Sequence, residues 1–136
     1  MAGEKIRVLI VDDIAETREN VRKLLQFESD VEVVGAARSG REGIQFSIEM
    51  DPDVVLMDIN MPEMDGLEAT KQSLENTKLQ NKPVIIAMTA YAMQGDTAKF
   101  LEAGMNDYIS KPIKLEDFSI MIRKWGFGTK SIKQYT

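Results

Sequence analysis

Short apolar runs alternate with segments of helical periodicity along the chain. The apolar runs are rich in β-branched residues and stop abruptly at polar residues, which is typical of strands buried on both faces. They predict five strands, at about residues 8–11, 31–37, 54–59, 84–89 and 108–110. Apolar residues at helical spacing predict five helices: one at about 15–28, one that ends before Pro52, one through Leu67 and Leu74, one at about 94–103, and one with Leu115, Phe118, Ile122 and Trp125 on a single apolar stripe.

Two of these helices begin with a capping signature. Ser39 and Asp65 are each followed three residues later by a glutamate, which is the spacing of a capping box. Pro52 and Gly104 are expected to end the second and the fourth helix.

The order of the elements defines the fold class. Strict alternation of strands and helices predicts an α/β fold, in which right-handed crossovers place helices on both faces of a five-stranded parallel, doubly wound sheet. Residues 1–125 are predicted to form one domain. Residues 126–136 lack periodicity and are predicted to be a C-terminal tail or a truncated linker.

Composition narrows the possible functions. The 136 residues suit one domain, and the net charge of -5 argues against non-specific binding to nucleic acid, which needs a basic surface. The chain has no cysteine and no histidine, which excludes disulfides, thiolate metal sites and a histidine base on this chain. The first residues carry no signal-peptide pattern, and no apolar run is long enough to cross a membrane. We therefore expect a cytoplasmic protein without a membrane partner.

Polar side chains end four of the predicted strands. Asp12 and Asp13 follow the first strand, Asp58 ends the third, Thr89 the fourth, and Lys111 follows the fifth. Taken singly, each is more often a turn or cap residue. The carboxyl ends of parallel strands meet at one edge of the sheet, however, so these side chains are expected to converge there.

Clustered carboxylates repel one another unless a cation neutralises them. Oxygen ligands without histidine or cysteine suit Mg²⁺ or Mn²⁺. A carboxylate can accept a phosphoryl group, and Lys111 and Thr89 could contact its oxygens. The set predicts phosphoryl transfer onto a carboxylate. Asp58 is the favoured acceptor because its strand is the most continuously apolar and should be central, whereas Asp12 and Asp13 can share the site only if the chain leaves strand geometry there.

Four motifs carry a family resemblance: VDD at 11–13, DINMPEMDG at 58–66, MTA at 88–90 and KP at 111–112. With Tyr108 three residues before the lysine, their order and spacing resemble the receiver domains of two-component response regulators, similar to chemotaxis regulators, over about residues 5–125. The segments TAYAMQGD and AGMNDYISKPI resemble receivers of hybrid sensor kinases most. The resemblance implies a flavodoxin-like fold with strand order 2-1-3-4-5.

The resemblance also implies the roles of the acidic residues. Asp58 would be the phosphoacceptor. Asp13 and Asp58 would bind Mg²⁺ (or Mn²⁺) directly, with Asp12 acting largely through water. The third protein ligand would be the backbone carbonyl of Asn60 rather than its side chain.

Further implied roles concern the phosphoryl group and the switch. Lys111 would hold the phosphoryl group, and Thr89 would swing towards it. Tyr108 would be the aromatic switch, and the peptide bond between Lys111 and Pro112 would be cis. Tyr91 either shields the phosphoryl group and slows its hydrolysis or is merely a half-exposed loop residue.

The implied partners are a histidine kinase or a histidine phosphotransfer protein. The implied output surface is the face of the fourth helix, fifth strand and fifth helix, which would contact a downstream protein or a second copy of the chain. Met93, Phe100 and Tyr108 could belong to it, and we expect Phe100 to be exposed because Leu101 beside it competes for burial. The chain would be a phosphoacceptor signalling domain that assists its own phosphorylation and dephosphorylation, and not an enzyme with turnover.

Two other classes share parts of the pattern. A haloacid-dehalogenase-like phosphatase also uses a strand-end aspartate, but it needs a second aspartate where this chain has Asn60. A flavodoxin-like electron carrier needs a hydroxyl-rich phosphate loop after the first strand, where this chain has DDIAETR. A DNA-binding regulator would need an additional module.

Overall fold

A computed structural model describes residues 5–90 and 97–125 of the chain. Strands and helices alternate through these residues, as predicted. The elements are β1 (Ile6–Val11), α1 (Ala15–Leu25), β2 (Val31–Ala37), α2 (Gly40–Met50), β3 (Val54–Asp58), α3 (Gly66–Glu75), β4 (Val84–Thr89), α4 (Thr97–Ala103), β5 (Asp107–Ser110) and α5 (Leu115–Lys124).

The five strands form one parallel sheet in the order β2-β1-β3-β4-β5. This order confirms the flavodoxin-like fold class. Strand β3 occupies the centre, and all five of its residues are buried, which explains its uninterrupted apolar sequence. The predicted boundaries need small changes, because α1 ends at Leu25 and β3 ends at Asp58. The predicted first residues of the fourth helix, 94–96, lie outside the described residues.

The core consists of two layers, one on each face of the sheet. Val8 and Ile10 of β1 lie in the layer covered by α1 and α5, whereas Leu9 and Val11 lie in the layer covered by α2, α3 and α4. Successive side chains of a strand point to opposite faces, so an apolar strand between two helical layers supplies both cores. Helices therefore cover both faces of β1 and β3.

The caps of two helices were predicted correctly. The Ser39 side chain accepts a hydrogen bond from the backbone N–H of Glu42 at 3.1 Å, and Asp65 Oδ1 accepts one from the N–H of Glu68 at 2.9 Å. The returning bond of the capping box is shifted by one residue, because Glu42 accepts from the N–H of Arg38. Gly104, with φ of +101°, follows α4 in a conformation that suits glycine.

The prediction that Phe100 is exposed was wrong. Phe100 is buried (3% exposed) and Leu101 is exposed (58%), because α4 presents Phe100 and Ala103, three residues apart, to the core. Trp125 is 36% exposed and ends the apolar stripe of α5 at the surface, where its indole N–H bonds to Asp107.

The helices of the described residues were compared with the requirements for crossing a membrane. None of their helices combines the length and the apolar character that a membrane crossing requires.

Candidate functional site

The carboxyl ends of β1 and β3 bring three aspartates together. Strand β1 ends at Val11, and the chain then leaves strand geometry, so that Asp12 and Asp13 both reach the end of β3. One carboxylate oxygen each of Asp12, Asp13 and Asp58 lies within 4.8 Å of the others. The predicted convergence of these carboxylates is therefore present in the structure.

Lys111 is the cation that joins two of these carboxylates. Its ammonium nitrogen lies 2.9 Å from Asp12 Oδ2 and 3.2 Å from Asp58 Oδ1. Burial lowers the pKa of Lys111, but its hydrogen bonds and its charge interactions with Asp12 and Asp58 outweigh this effect, so the pKa lies above its usual value. Lys111 is therefore held as an ammonium between two acidic groups.

Asp12 is fully buried and fixed by its neighbours. Its Oδ1 accepts a hydrogen bond from the backbone N–H of Ile14 at 2.9 Å, and its Oδ2 accepts one from Lys111. Its backbone carbonyl accepts a 2.8 Å bond from Arg18 Nη1 of α1. The pattern of apolar and polar residues did not indicate this contact, because a charged residue at this position is typical of the exposed face of a helix.

Asp58 is buried at the end of the central strand. Its Oδ1 accepts a hydrogen bond from the backbone N–H of Asn60 at 3.2 Å in addition to the contact with Lys111. Burial raises the pKa of the Asp58 carboxyl, and the charge of Asp12 raises it further; Asn60 and Lys111 oppose these effects without cancelling them. The site therefore disfavours the ionised form of Asp58, and a further cation nearby would favour it.

The donor set fits a hard divalent cation. Within residues 5–90 and 97–125, three carboxylates lie together and one ammonium, that of Lys111, is paired with two of them, which leaves an excess of negative charge. Asp13 Oδ1 is buried and has no hydrogen-bond partner among the described residues, which is costly for a carboxylate oxygen. An ion with oxygen ligands would satisfy both the orphaned oxygen and the charge. Asn60 is exposed.

Strands β4 and β5 bring the other predicted residues to the same edge. Thr89 is buried at the end of β4, and its backbone carbonyl accepts a 2.8 Å bond from the N–H of Lys111. The peptide bond between Lys111 and Pro112 is cis, as predicted.

Tyr108 lies in β5, three residues before Lys111. Its ring is half-buried and packs against Phe100, with ring centroids 6.1 Å apart and planes at 52°. Tyr91 and Met93, which entered the predictions about the switch and the output face, lie outside the described residues.

Gly66 is a site residue whose contribution the sequence did not reveal. A Cβ atom at this position would lie 2.3 Å from the backbone oxygen of Asp58 and 2.8 Å from the Cα of Ile59. Only a glycine allows α3 to begin so close to the main chain that carries Asp58. The glycine after the Asp65 cap was visible, but this long-range contact was not.

Comparison with known proteins identifies the family. A family model described as the response regulator receiver domain matches residues 8–123. The chain therefore belongs to the response regulator receiver domain family. It is a two-component signalling domain that is phosphorylated on an aspartate. Family membership favours this function over the phosphatase and the electron carrier.

Curated relatives are longer than this chain. Protein-glutamate methylesterase/protein-glutamine glutaminase 2 of Carboxydothermus hydrogenoformans is 44% identical over 110 residues, which are 79% of this chain and 30% of that protein. The transcriptional regulatory protein LiaR of Bacillus subtilis is 37% identical over 128 residues, 94% of this chain and 59% of LiaR. The chain thus spans less than two thirds of either relative.

Solved structures share the fold. The receiver domain of the sensor histidine kinase PA1611 of Pseudomonas aeruginosa, with a magnesium ion in its active site cleft, has a TM-score of 0.76 and 29% identity, covering 89% of this chain and 97% of that one. A co-crystal of the Saccharomyces cerevisiae phosphotransfer protein Ypd1 with the receiver domain of Ssk1 gives a TM-score of 0.74 and 30% identity, covering 90% of each chain.

Proposed function

We propose that Asp58 is the aspartate that is phosphorylated in this receiver domain, and that the donor is a phosphohistidine on a histidine kinase or a histidine phosphotransfer protein. The observation that carries this proposal is the position of Asp58 at the end of the central strand, in contact with Lys111 and within 4.8 Å of two further carboxylates. The Ssk1–Ypd1 complex supports the class of donor.

The contacts distinguish Asp58 from its two neighbours. Both carboxylate oxygens of Asp12 are engaged, one by a backbone N–H and one by Lys111. Asp13 lies beyond the end of β1, outside the rigid sheet. Asp58 is part of β3, the central strand, so the sheet fixes the position of its carboxylate.

The transfer itself needs little covalent chemistry from the protein. The N–P bond of the donor breaks and an O–P bond to an Asp58 carboxylate oxygen forms, while the donor imidazole keeps the electron pair of the broken bond. Lys111 neutralises negative charge on the phosphoryl oxygens, and Thr89 donates a hydrogen bond to one of them. Catalysis is then mainly positioning and charge stabilisation.

Asp12, Asp13 and Asp58, with the backbone carbonyl of Asn60, would hold the Mg²⁺ (or Mn²⁺) ion, with Asp12 acting largely through water. The metal ion would supply positive charge to the carboxylates and to the phosphoryl group. The orphaned Oδ1 of Asp13 and the raised pKa of Asp58 support this assignment.

A groove beside Lys111 is a suitable docking place for the phosphodonor. It has a volume of about 510 Å³ and runs between α1 and the loop after β5. The residues that line it are Thr17, Asn20, Val21, Leu24, Lys111, Pro112 and Ile113. Because Lys111 belongs to both the groove and the acidic site, a donor helix lying there would bring its histidine close to Asp58.

The output surface is proposed to be the face of α4, β5 and α5, with Thr89 and Tyr108 as the switch. On this face Leu101 and Ile120 are exposed (58% and 63%), which suits contact with a downstream protein or a second copy of the chain. Helix α5 carries acidic residues in its first turn and basic residues in its last turn, so two antiparallel copies would pair opposite charges around Ile120.

Four broader predictions belong to the same proposal. The domain is a phosphoacceptor that assists its own phosphorylation and dephosphorylation. Residues 1–125 form the receiver unit, which the family match over residues 8–123 supports, and residues 126–136 are a tail or part of a linker. The domain acts in the cytoplasm and does not itself bind nucleic acid.

Labelling with a small phosphodonor tests the proposal. With Mg²⁺ present, the wild-type chain should gain a hydroxylamine-labile phosphoryl group, and Asp58→Ala should gain none. Asp30→Ala is the matched control, because it removes an exposed aspartate far from the site in sequence and should label normally. Equal labelling of Asp58→Ala and wild type would overturn the assignment.

A further inference from the structure

A second cluster of charged and polar groups lies where α5 ends beside β5. Asp107, the first residue of β5, accepts three hydrogen bonds with one carboxylate. Its Oδ1 accepts from the backbone N–H of Tyr108 at 2.9 Å. Its Oδ2 accepts from Lys124 Nζ at 2.8 Å and from the indole Nε1 of Trp125 at 3.0 Å.

These contacts connect two elements that are distant in sequence. One oxygen of Asp107 holds the main chain of Tyr108, and the other holds the last residues of α5. The ammonium of Lys124 also lies 6.0 Å from the centre of the Trp125 ring, which is the outer range of a cation–π contact. We call Asp107, Lys124 and Trp125 the clasp.

The charge state of the clasp is stable at neutral pH. Burial raises the pKa of Asp107, but the hydrogen bonds from Lys124, from the Tyr108 N–H and from Trp125 outweigh it, so the pKa lies below its usual value. The carboxylate is therefore ionised when the domain works, and its hydrogen bonds are charge-assisted and stronger than neutral ones.

We propose that the clasp transmits the state of Tyr108 to the C-terminal end of α5. The proposal rests on the proposed function, in which phosphorylation at Asp58 changes the position of Tyr108. Asp107 is adjacent to Tyr108 and bonded to its N–H, so a shift of this part of β5 must either carry the last turn of α5 with it or break the bonds to Lys124 and Trp125. Either outcome changes the surroundings of Trp125.

A purely structural strap would contain the same bonds but would not respond to the acidic site. The two roles differ in whether Trp125 reports occupancy of Asp58. Trp125 is the single tryptophan of the chain, and it is partly exposed, so its fluorescence isolates this one position. A ligand can shift such an element only if the two states interact differently with it.

The test uses the full chain with Mg²⁺ and beryllofluoride, a mimic of the phosphoryl group. Fluorine NMR of the bound beryllofluoride reports binding at Asp58, and tryptophan emission reports the clasp. In the wild type we expect the emission to change with the same midpoint as the NMR signal. In Asp107→Asn, which keeps an acceptor for Tyr108 but loses the charged acceptor for Lys124 and Trp125, binding should stay within about fivefold while the emission change is lost.

Asp117→Asn is the matched control, since it makes the same chemical change at an exposed position in the first turn of α5 and should keep the emission change. An unchanged emission response in Asp107→Asn would overturn the proposal that the clasp transmits the state of Tyr108. So would a wild-type chain that binds beryllofluoride without any emission change. A wild-type chain that binds no beryllofluoride would refute the proposed function itself and the clasp with it.

Discussion

The two ends of the parallel sheet both carry aspartates, but the structure treats them differently. At the amino ends of the strands, Asp53 Oδ2 accepts the backbone N–H of Arg7 at 2.9 Å, and both carboxylate oxygens of Asp51 accept from the Asn81 amide. At the carboxyl ends, Asp12 and Asp58 share the ammonium of Lys111, and one buried oxygen of Asp13 has no hydrogen-bond partner in the described part of the chain.

The aspartates at the amino ends stabilise the fold, whereas the cluster at the carboxyl ends has the negative charge to bind a cation. The amino-end aspartates satisfy donors of the protein itself. The carboxyl-end aspartates repel one another, and burial raises the pKa of Asp58. A stable fold tolerates such a conflict at a functional site, where a bound cation resolves it.

The largest expected effect comes from the backbone contact that fixes Asp58. Gly66→Ala would place a methyl group 2.3 Å from the Asp58 carbonyl oxygen, and the backbone cannot yield easily. We expect a loss of unfolding free energy of about 3 kcal/mol and impaired phosphorylation.

Gly35→Ala is the control for that change. Its Cβ would meet Met50 Sδ at 2.6 Å, which is the end of a flexible side chain that can move away. Denaturant unfolding should therefore show a loss of at most about 1 kcal/mol. Equal losses in the two variants would contradict the special role of Gly66.

A second prediction concerns stabilisation by a bound metal ion, which should depend only on the aspartates at the carboxyl ends of the strands. At a Mg²⁺ concentration of about a hundred times the dissociation constant, the wild type should gain about 2.7 kcal/mol of unfolding free energy. Asp13→Asn should lose most of this gain, because the variant lacks the charged oxygen that the fold leaves unpaired. Thermal melting with Mg²⁺ and with a chelator measures both values. An undiminished gain in the variant would remove Asp13 from the metal site.

A third prediction is that removing an aspartate changes the unfolding free energy in opposite directions at the two ends of the sheet. In a chelator, Asp58→Asn should stabilise the fold by about 1 kcal/mol, because it removes the cost of burying a charged carboxylate and, secondly, the repulsion with Asp12. Asp53→Ala should destabilise it by about 1 to 2 kcal/mol, since the Arg7 N–H loses its side-chain acceptor. Denaturant unfolding of the two variants measures both changes. Changes of the same sign would contradict the difference between the aspartates at the two ends of the sheet.

The smallest effect is the pH dependence of the clasp. The folded-state pKa of Asp107 lies below the unfolded value of 3.8, so its contribution to stability is present above pH 3.8 and is lost as pH falls through the folded-state pKa. The stability difference between wild type and Asp107→Asn should shrink over that acidic range. A difference that grows on acidification would mean the opposite sign of the shift.

Much of this arrangement could be predicted from the pattern of residues. Continuous apolar runs indicated strands covered on both faces, and alternation with helices indicated a parallel sheet whose carboxyl ends gather Asp12, Asp13, Asp58 and Lys111. These predictions depend on periodicity and topology, which the sequence expresses directly.

Contacts between distant backbone segments could not be predicted in this way. Gly66 fell at the start of a predicted helix, and Asp107 fell just before the predicted fifth strand, which the structure begins one residue earlier. Nothing in the sequence pattern indicated the contact of Arg18 with the backbone of Asp12. The burial of Phe100 instead of Leu101 depended on the rotation of a short helix about its axis, for which adjacent apolar residues leave two solutions. Tertiary packing decides each of these cases.

The most direct test of the central claim is to locate the phosphoryl group. The wild-type chain is phosphorylated by a small donor with Mg²⁺, the acyl phosphate is trapped by borohydride reduction, and the modified residue is mapped by mass spectrometry. The account predicts a single modification, at Asp58, that disappears when the metal is chelated. Modification at Asp12 or Asp13, or an unmodified Asp58, would contradict it.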